Sequence, residues 1–400
     1  MSTRRHLLRA ALAGAIAPWA QLSIAATPAG AGSRRFVFVI LRGGLDGLTA
    51  VPAVGDPAFA DARGPLASFA GDALPLDATF ALNPLLPQLH GMYGRGELAV
   101  LHATGLPYRE RSHFDAQQVL ESGGSRPYEF TTGWLGRALP GTALRAVALE
   151  TAVPLVLRGP AEVDTWAPSR LPEPGADLVA RLELMYRADP ALAQALARAR
   201  GLRAEMDTTP GMAANPMNPG ATSAGANPGR SLAVTLARKA AEFLQHGAQV
   251  AVLELGGWDS HANQALPQGA TSNNLRTLDA ALAALREGLL PGDAWQRTAV
   301  LVATEFGREV AVNGTQGTDH GSGGASFVLG GAVRGGRVLV DWPGLAKKDR
   351  FEGRDLRITT DLRAAMRTLL HDHLQVPRAA LDTTVLPGSA GLSRLDLLRG

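Results

Sequence analysis

Residues 298–303, Thr-Ala-Val-Leu-Val-Ala, form an unbroken, β-rich run of apolar or small residues that stops abruptly at Glu305 and Arg308. Such a run reads as a strand buried on both faces, the habit of parallel sheets covered by helices. A Gly-rich loop then delivers Asp319 and His320. In an open α/β sheet, ligands bind just past the carboxyl ends of the strands. Carboxylates and an imidazole placed there are what a metal-dependent site requires. An Arg–Glu pair and a polar turn would account for the same residues without any chemistry.

Three other strand-like runs end in the same way. Residues 35–41 are continuously apolar after Arg35 and give way to Arg42-Gly-Gly-Leu-Asp-Gly47. The glycines permit a tight turn and leave Asp46 at the strand end. No G-x-G-x-x-G follows, so this is not a dinucleotide fingerprint. A short strand at 98–102 precedes Arg111-Ser-His-Phe-Asp115, where Ser112 and Asp115 fit an S-x-x-D capping box. That box sets Ser112 and His113 at the positive end of a helix, where anions are favoured. Ser112 there is a nucleophile, an anion ligand or simply a cap. The run 249–255 leads into Gly256-Gly-Trp-Asp-Ser-His261, and Asp259 and His261 can place an oxygen and a nitrogen on one metal.

Between these runs lie helical and strand patterns that alternate, the signature of an α/β fold with a mostly parallel sheet sandwiched between helices. Helices are expected near 84–93, over 177–206 with a break near Asp189-Pro190, over 231–247 with its cap at Arg230-Ser231, over 271–290 and over 360–374. Further strands are expected at 145–150, 154–157, 325–330 (as an edge strand) and 335–340. Residues 207–229 are low-complexity loop. His371 and His373 stand two apart on the last helix, so they face different ways and are not a ligand pair. The last 25 or so residues, 376–400, read as a short tail packed on the surface. If the alternation holds, Asp46, the Ser112/His113/Asp115 group, Asp259/His261 and the Glu305–His320 loop all meet at one rim of the sheet.

The first 26 residues stand apart. Thr3-Arg-Arg-His-Leu-Leu8, an Ala-rich apolar run and small-x-small sites at 23–26 read as a twin-arginine (Tat) export signal, removed on maturation. The apolar run is short and contains Pro18, so a stable membrane anchor is not expected. The signal holds Arg4, Arg5 and Arg9 and no acid, so the whole formal net charge of +3 lies in it. A near-neutral remainder implies no nucleic-acid partner. With no cysteine, disulfides and thiolate metal sites are excluded, and the chain is held by its core.

Five blocks in order, residues 41–48, 111–117, 257–261, 304–308 and 317–321, resemble the signature blocks of the domain of unknown function 1501 family. The resemblance spans about residues 34–375 and implies an alkaline phosphatase-like fold, within the alkaline phosphatase/sulfatase-like superfamily. It also implies Tat export, and thus a periplasmic or secreted location. The activity it implies is metal-dependent hydrolysis of phosphate or sulfate esters, with one or two divalent ions as cofactor and a small-molecule ester or anionic substrate. On this resemblance Asp46, Asp259, His261, Glu305 and His320 are metal ligands, and Ser112 or an activated water is the nucleophile. Arg308 and Arg42 would clamp anionic oxygens. His113 and Asp319 would shuttle a proton or orient ligands, with Asp115 beside them. Phe306 stands where many members carry His, which leaves a single ion, or a metal-free site, open beside a pair. The alternative is an exported, non-catalytic binding or assembly protein that keeps the fold.

Overall fold

The computed structural model describes residues 33–69, 71–139, 144–169, 175–190 and 228–400, with part of 192–200. The export signal and most of the low-complexity loop therefore lie outside the described residues. The architecture is a mixed, mostly parallel sheet flanked by helices on both faces. Its strands are β1 (Arg35–Leu41), β4 (Leu98–Gly105), β5 (Ala146–Ala148), β6 (Val163–Thr165), β7 (Val250–Leu255), β8 (Thr298–Thr304), β9 (Gly324–Leu329), β10 (Arg337–Leu339) and β11 (Thr360–Asp361). A separate two-stranded ribbon pairs β2 (Leu74–Pro75) with β3 (Ala81–Leu82). The main order is β10-β4-β9-β8-β1-β7-β5-β6, with β11 beside β4.

β1 shows why its sequence lacks alternation. Phe36, Phe38 and Ile40 enter one core, and Val37, Val39 and Leu41 enter the other. A strand covered on both sides needs an apolar residue at every position. The helices are α1 (Gly47–Ala50), α2 (Phe59–Arg63), α3 (Pro87–Gly94), α4 (His113–Ser122), α5 (Trp134–Ala138), α6 (Ala176–Tyr186), α7 (Pro228–Gln245), α8 (Ala270–Leu289) and α9 (Leu362–Thr368). α3, α7 and α8 cover the first face, with Leu89, Phe243 and Leu282 buried there. α4, α5 and α9 cover the second, where Trp134 meets the Phe38 ring edge-on at 5.4 Å. Asp279 of α8 caps α3 from across the layer, accepting the Gln88 and Leu89 amides at 3.2 and 3.0 Å.

Several expectations need correction. β9 is not an edge strand. It lies antiparallel between β4 and β8, with all six residues buried. A short apolar run looks the same at an edge and at a centre, because periodicity reports burial and not pairing. Residues 155–157 form a single 3₁₀ turn after Pro154; the Val156 amide bonds Glu121 Oε2 at 3.0 Å, so it needs no ladder partner. α7 begins at Pro228, inside the expected loop and ahead of the expected cap, with proline in the first turn, where its missing N–H costs nothing. The helical stretch that starts in α6 is interrupted over 187–189, at the expected break, and helix resumes at Pro190. The terminal segment is not merely laid on the surface: Leu381, Val385, Leu386 and Leu397 are fully buried in the second core. The two histidines fall in a π-helical turn, Leu369–His373, that continues α9, and they bond different carbonyls: His373 is buried against Arg35 O at 2.8 Å and His371 meets Val376 O at 2.9 Å.

Burial pushes His102 and His373 down to about 4. Burial pushes Asp279 up to about 6. Both histidines take up protons more readily unfolded, so their contribution is complete above about pH 6.5 and is lost as pH falls towards 4. Asp279 acts oppositely, binding its proton more tightly when folded. Through these three groups, acidification from pH 6.5 to 4.5 should cost about 2–3 kcal/mol. Urea unfolding across that range measures it, and Asp279→Asn should make the loss steeper by about 2 kcal/mol.

Candidate functional site

β1, β4, β7 and β8 run parallel in the ladder, so their carboxyl ends share one rim. β9 runs the other way, which brings the loop before it to that same rim. Five distant segments therefore meet there. Glycine makes the closest approach possible. Gly43 has φ +118°, and a Cβ on it would stand 2.5 Å from the Asp259 backbone nitrogen. Only a residue without a side chain lets the β1 and β7 loops touch in this way.

His113, Asp259 and His320 each present a ligand atom within 4.8 Å of the others. His320 Nε2 lies 3.0 Å from His113 Nε2 and 3.0 Å from His261 Nε2. Asp259 Oδ1 lies 2.9 Å from His261 Nε2 and 3.2 Å from His320 Nε2, and its Oδ2 lies 3.4 Å from His113 Nε2. The Phe306 ring packs on His113 and His320, with centroids 4.7 and 5.0 Å away.

Each imidazole is held from behind through Nδ1. His113 meets Glu305 Oε1 at 2.8 Å, His261 meets Asp319 Oδ1 at 3.1 Å, and His320 meets the Arg111 carbonyl at 3.0 Å. Arg111 reaches that position in a left-handed conformation, φ +61°, and its guanidinium is anchored by Asp355 at 2.8 Å and Glu352 at 2.6 Å. Burial raises the Glu305 carboxyl, but hydrogen bonds from His113, Gln117 and the Gly43 amide outweigh it, and the group is lowered overall. Asp259 is held at about 2: burial raises it, while the hydrogen bond and charge of Arg308, and then the histidines, pull it down further. The bond to Glu305 raises His113 against its partial burial. Burial lowers His320.

The structure brings His113, Asp259, His261 and His320 together, with Glu305 and Asp319 directly behind them. It places Asp46 elsewhere. Asp46 caps α1 through the Leu48 and Thr49 amides, and its other oxygen takes Arg63, Gln264 and the Thr49 hydroxyl. Arg42 is also committed, to Glu254 at 2.7 Å and Glu121 at 2.8 Å. Arg308 is buried against Asp259 at 2.7 Å and Thr318, and so steadies Asp259. Ser112 does precede α4, but its side chain makes no capping bond. In place of the expected capping box, the Tyr108 hydroxyl meets Ser112 and bonds Asp115 Oδ2 at 3.2 Å. Arg63, Gln117, Gln264 and Arg111 are supporting residues that sequence reasoning missed. None sits at the expected ligand positions after a strand, so only their charge or amide character marked them.

The fold and the rim cluster define an α/β protein with a candidate metal-holding site at the carboxyl edge of its sheet. The model of the family described as protein of unknown function DUF1501 matches residues 93–382, and the chain belongs to that family. Comparison with curated proteins gives no match. Among solved structures, the chain is similar to the PsFucS1 sulfatase from Pseudoalteromonas sp. at 12% identity, covering 91% of this chain and 74% of that one, with a TM-score of 0.42. It is similar to a protein in the alkaline phosphatase superfamily from Vibrio parahaemolyticus at 11% identity, 77% and 62% coverage and a TM-score of 0.35. The C-terminal periplasmic domain of EcEptC from Escherichia coli, in complex with Zn, is similar at 10% identity, 76% and 77% coverage and a TM-score of 0.34. Among the described residues no helix is long and apolar enough to cross a membrane.

The Arg63 guanidinium is fully buried against Asp46. Arg63→Leu should leave that carboxylate buried without a counter-charge and lower stability by about 3–5 kcal/mol. Denaturant unfolding checks this, and the double variant with Asp46→Asn should recover part of the loss.

Proposed function

We propose that this chain is an exported, metal-dependent hydrolase of phosphate or sulfate esters. The observation that carries the reading is the meeting of Asp259, His261 and His320 with His113 at the rim, His113 being the first residue of α4, directly after Ser112. Imidazole nitrogens with one carboxylate suit a divalent transition ion, so the donor chemistry fits the group the family resemblance implies. When bound, such an ion would neutralise ester oxygens and make a bound water or serine hydroxyl more acidic.

The chain's own residues supply the rest. Ser112 presents its hydroxyl at the N-terminus of a ten-residue helix, where backbone N–H groups and the helix dipole favour an anion. Its side chain makes no capping bond, and its oxygen would attack phosphorus or sulfur as the bond to the leaving oxygen breaks. The Tyr108 hydroxyl bonds both Ser112 and Asp115, and offers a path for the serine proton to the Asp115 carboxylate. Arg308 and Arg42 are both engaged with carboxylates, so the substrate's charge would be met by the helix start and the ion rather than by an arginine clamp. Export rests on the twin-arginine pattern of residues 3–8 and predicts a mature chain that starts after the small residues at 23–26.

One observation favours the second reading, a binding protein without turnover. Phe306 covers His113 and His320 with carbon where a further ligand would stand. Aryl phosphate and aryl sulfate assays on the full chain, supplied in turn with Zn, Mn and Ca, separate the two. The hydrolase reading expects turnover that Ser112→Ala lowers about 10³-fold or more. Retained turnover in that variant would assign the attack to water. No turnover of either ester by metal-loaded protein would overturn the hydrolase and leave the binding reading.

A further inference from the structure

We propose that the rim holds a single divalent transition ion on His113, His261, His320 and Asp259, and that the Arg63 guanidinium takes the place of any second cation at Asp46. The inference deepens the hydrolase reading and shares with it the presence of an ion. It changes His113 from a proton carrier to a ligand, and Glu305 from a ligand to the group that orients it.

The hydrogen bonds behind the rings decide which nitrogen carries a proton. The Arg111 carbonyl can only accept, so His320 donates to it through Nδ1–H. The Glu305 carboxylate already accepts from the Gly43 amide at 2.8 Å and Gln117 at 3.0 Å, so His113 also donates through Nδ1–H. The Asp319 carboxylate accepts from Asn313 at 3.0 Å, and His261 donates to it in the same sense. In the neutral rings all three Nε2 atoms therefore carry lone pairs, and two pairs of them face each other at 3.0 Å. Lone pairs that close repel unless something positive lies among them. A carboxylate, carbonyl or water behind each ring is the usual arrangement around metal-bound histidine. With metal–donor bonds of about 2.0–2.1 Å, donors around a tetrahedral ion stand about 3.3 Å apart. His113, His320 and the two Asp259 oxygens stand 3.0 to 3.4 Å apart, and His261 Nε2 joins from the other side, 2.9 Å from Asp259 Oδ1 and 3.0 Å from His320 Nε2. Three imidazoles to one carboxylate select a zinc-type ion over calcium or magnesium, which take oxygen ligands.

The donors for a second ion are already used. Asp46 Oδ1 accepts two backbone amides, and its Oδ2 accepts Arg63, Gln264 and Thr49. Glu305 Oε2 takes the Thr304 hydroxyl at 3.0 Å, and Oε1 takes three donors. The neighbouring Phe306 offers only carbon.

The test is cobalt(II) titration of the metal-stripped full chain, read by visible absorption and by metal analysis, with circular dichroism to confirm folding. One cobalt per chain with an intense, low-symmetry spectrum is expected. His113→Ala should weaken cobalt binding by at least about 100-fold and alter the spectrum, and Glu305→Gln should keep one cobalt while weakening it about 10–100-fold. His113→Gln serves if the alanine variant fails to fold. Asp46→Asn should leave the stoichiometry at one cobalt per chain. Two ions per chain, with one lost on Asp46→Asn, would overturn the single-ion assignment. Unchanged affinity and spectrum on removing His113 would overturn its role as ligand, and no cobalt bound would overturn both. One cobalt bound without ester hydrolysis would sink the hydrolase reading and leave this inference standing.

Discussion

The buried carboxylate of Glu305 holds the rim together. It ends the central strand β8, is almost wholly removed from water, and stays charged because protein donors replace that water. The Gly43 amide comes from the β1 loop, and His113 and Gln117 come from α4. An unpaired charge at that depth would cost several kcal/mol, so the carboxylate demands these partners in place. One side chain thereby sets the distance between two strand ends and a helix, and aims the His113 ring as it does so.

A second buried network steadies the opposite wall. Asp46 binds Arg63 and Gln264, Gln264 accepts the Thr318 hydroxyl at 2.8 Å, and Thr318 meets Arg308, which grips Asp259. A residue expected at the metal instead stands at the far end of a hydrogen-bonded chain that leads to one. Networks of this kind rigidify a site when every member is satisfied.

Much of this was legible beforehand because burial leaves a plain mark on sequence. Continuous apolar runs announced β1, β7 and β8, and the acids and histidines after them stood where strands end. Parallel connectivity brought Asp259, His261 and Glu305 to one rim, while Asp46 turned away to cap α1 and bind Arg63. Partners were another matter. Nothing about Arg63, in a short helix between loops, says that it neutralises Asp46. The Ser112–Asp115 spacing allowed a capping box, yet Tyr108 claimed the aspartate. The proton position on His320 is set by a backbone carbonyl, and carbonyls are common to every residue. β9 misled for the same reason: its residues record that they are covered, not by which neighbours.

The central place of β9 bears on the order in which the chain can assemble. Its partner β4 lies more than two hundred residues earlier, with Leu98 opposite Leu329. β1 and β8 are joined across a comparable span, Arg35 opposite Thr298. Pairings between such remote segments pay their chain entropy before they gain contacts, which makes them slow steps. His320 arrives on the lead-in to that strand, after all the other imidazoles of the rim. Until β9 has slotted between its neighbours the cluster lacks its middle member, so the rim comes together only once these remote pairings have formed.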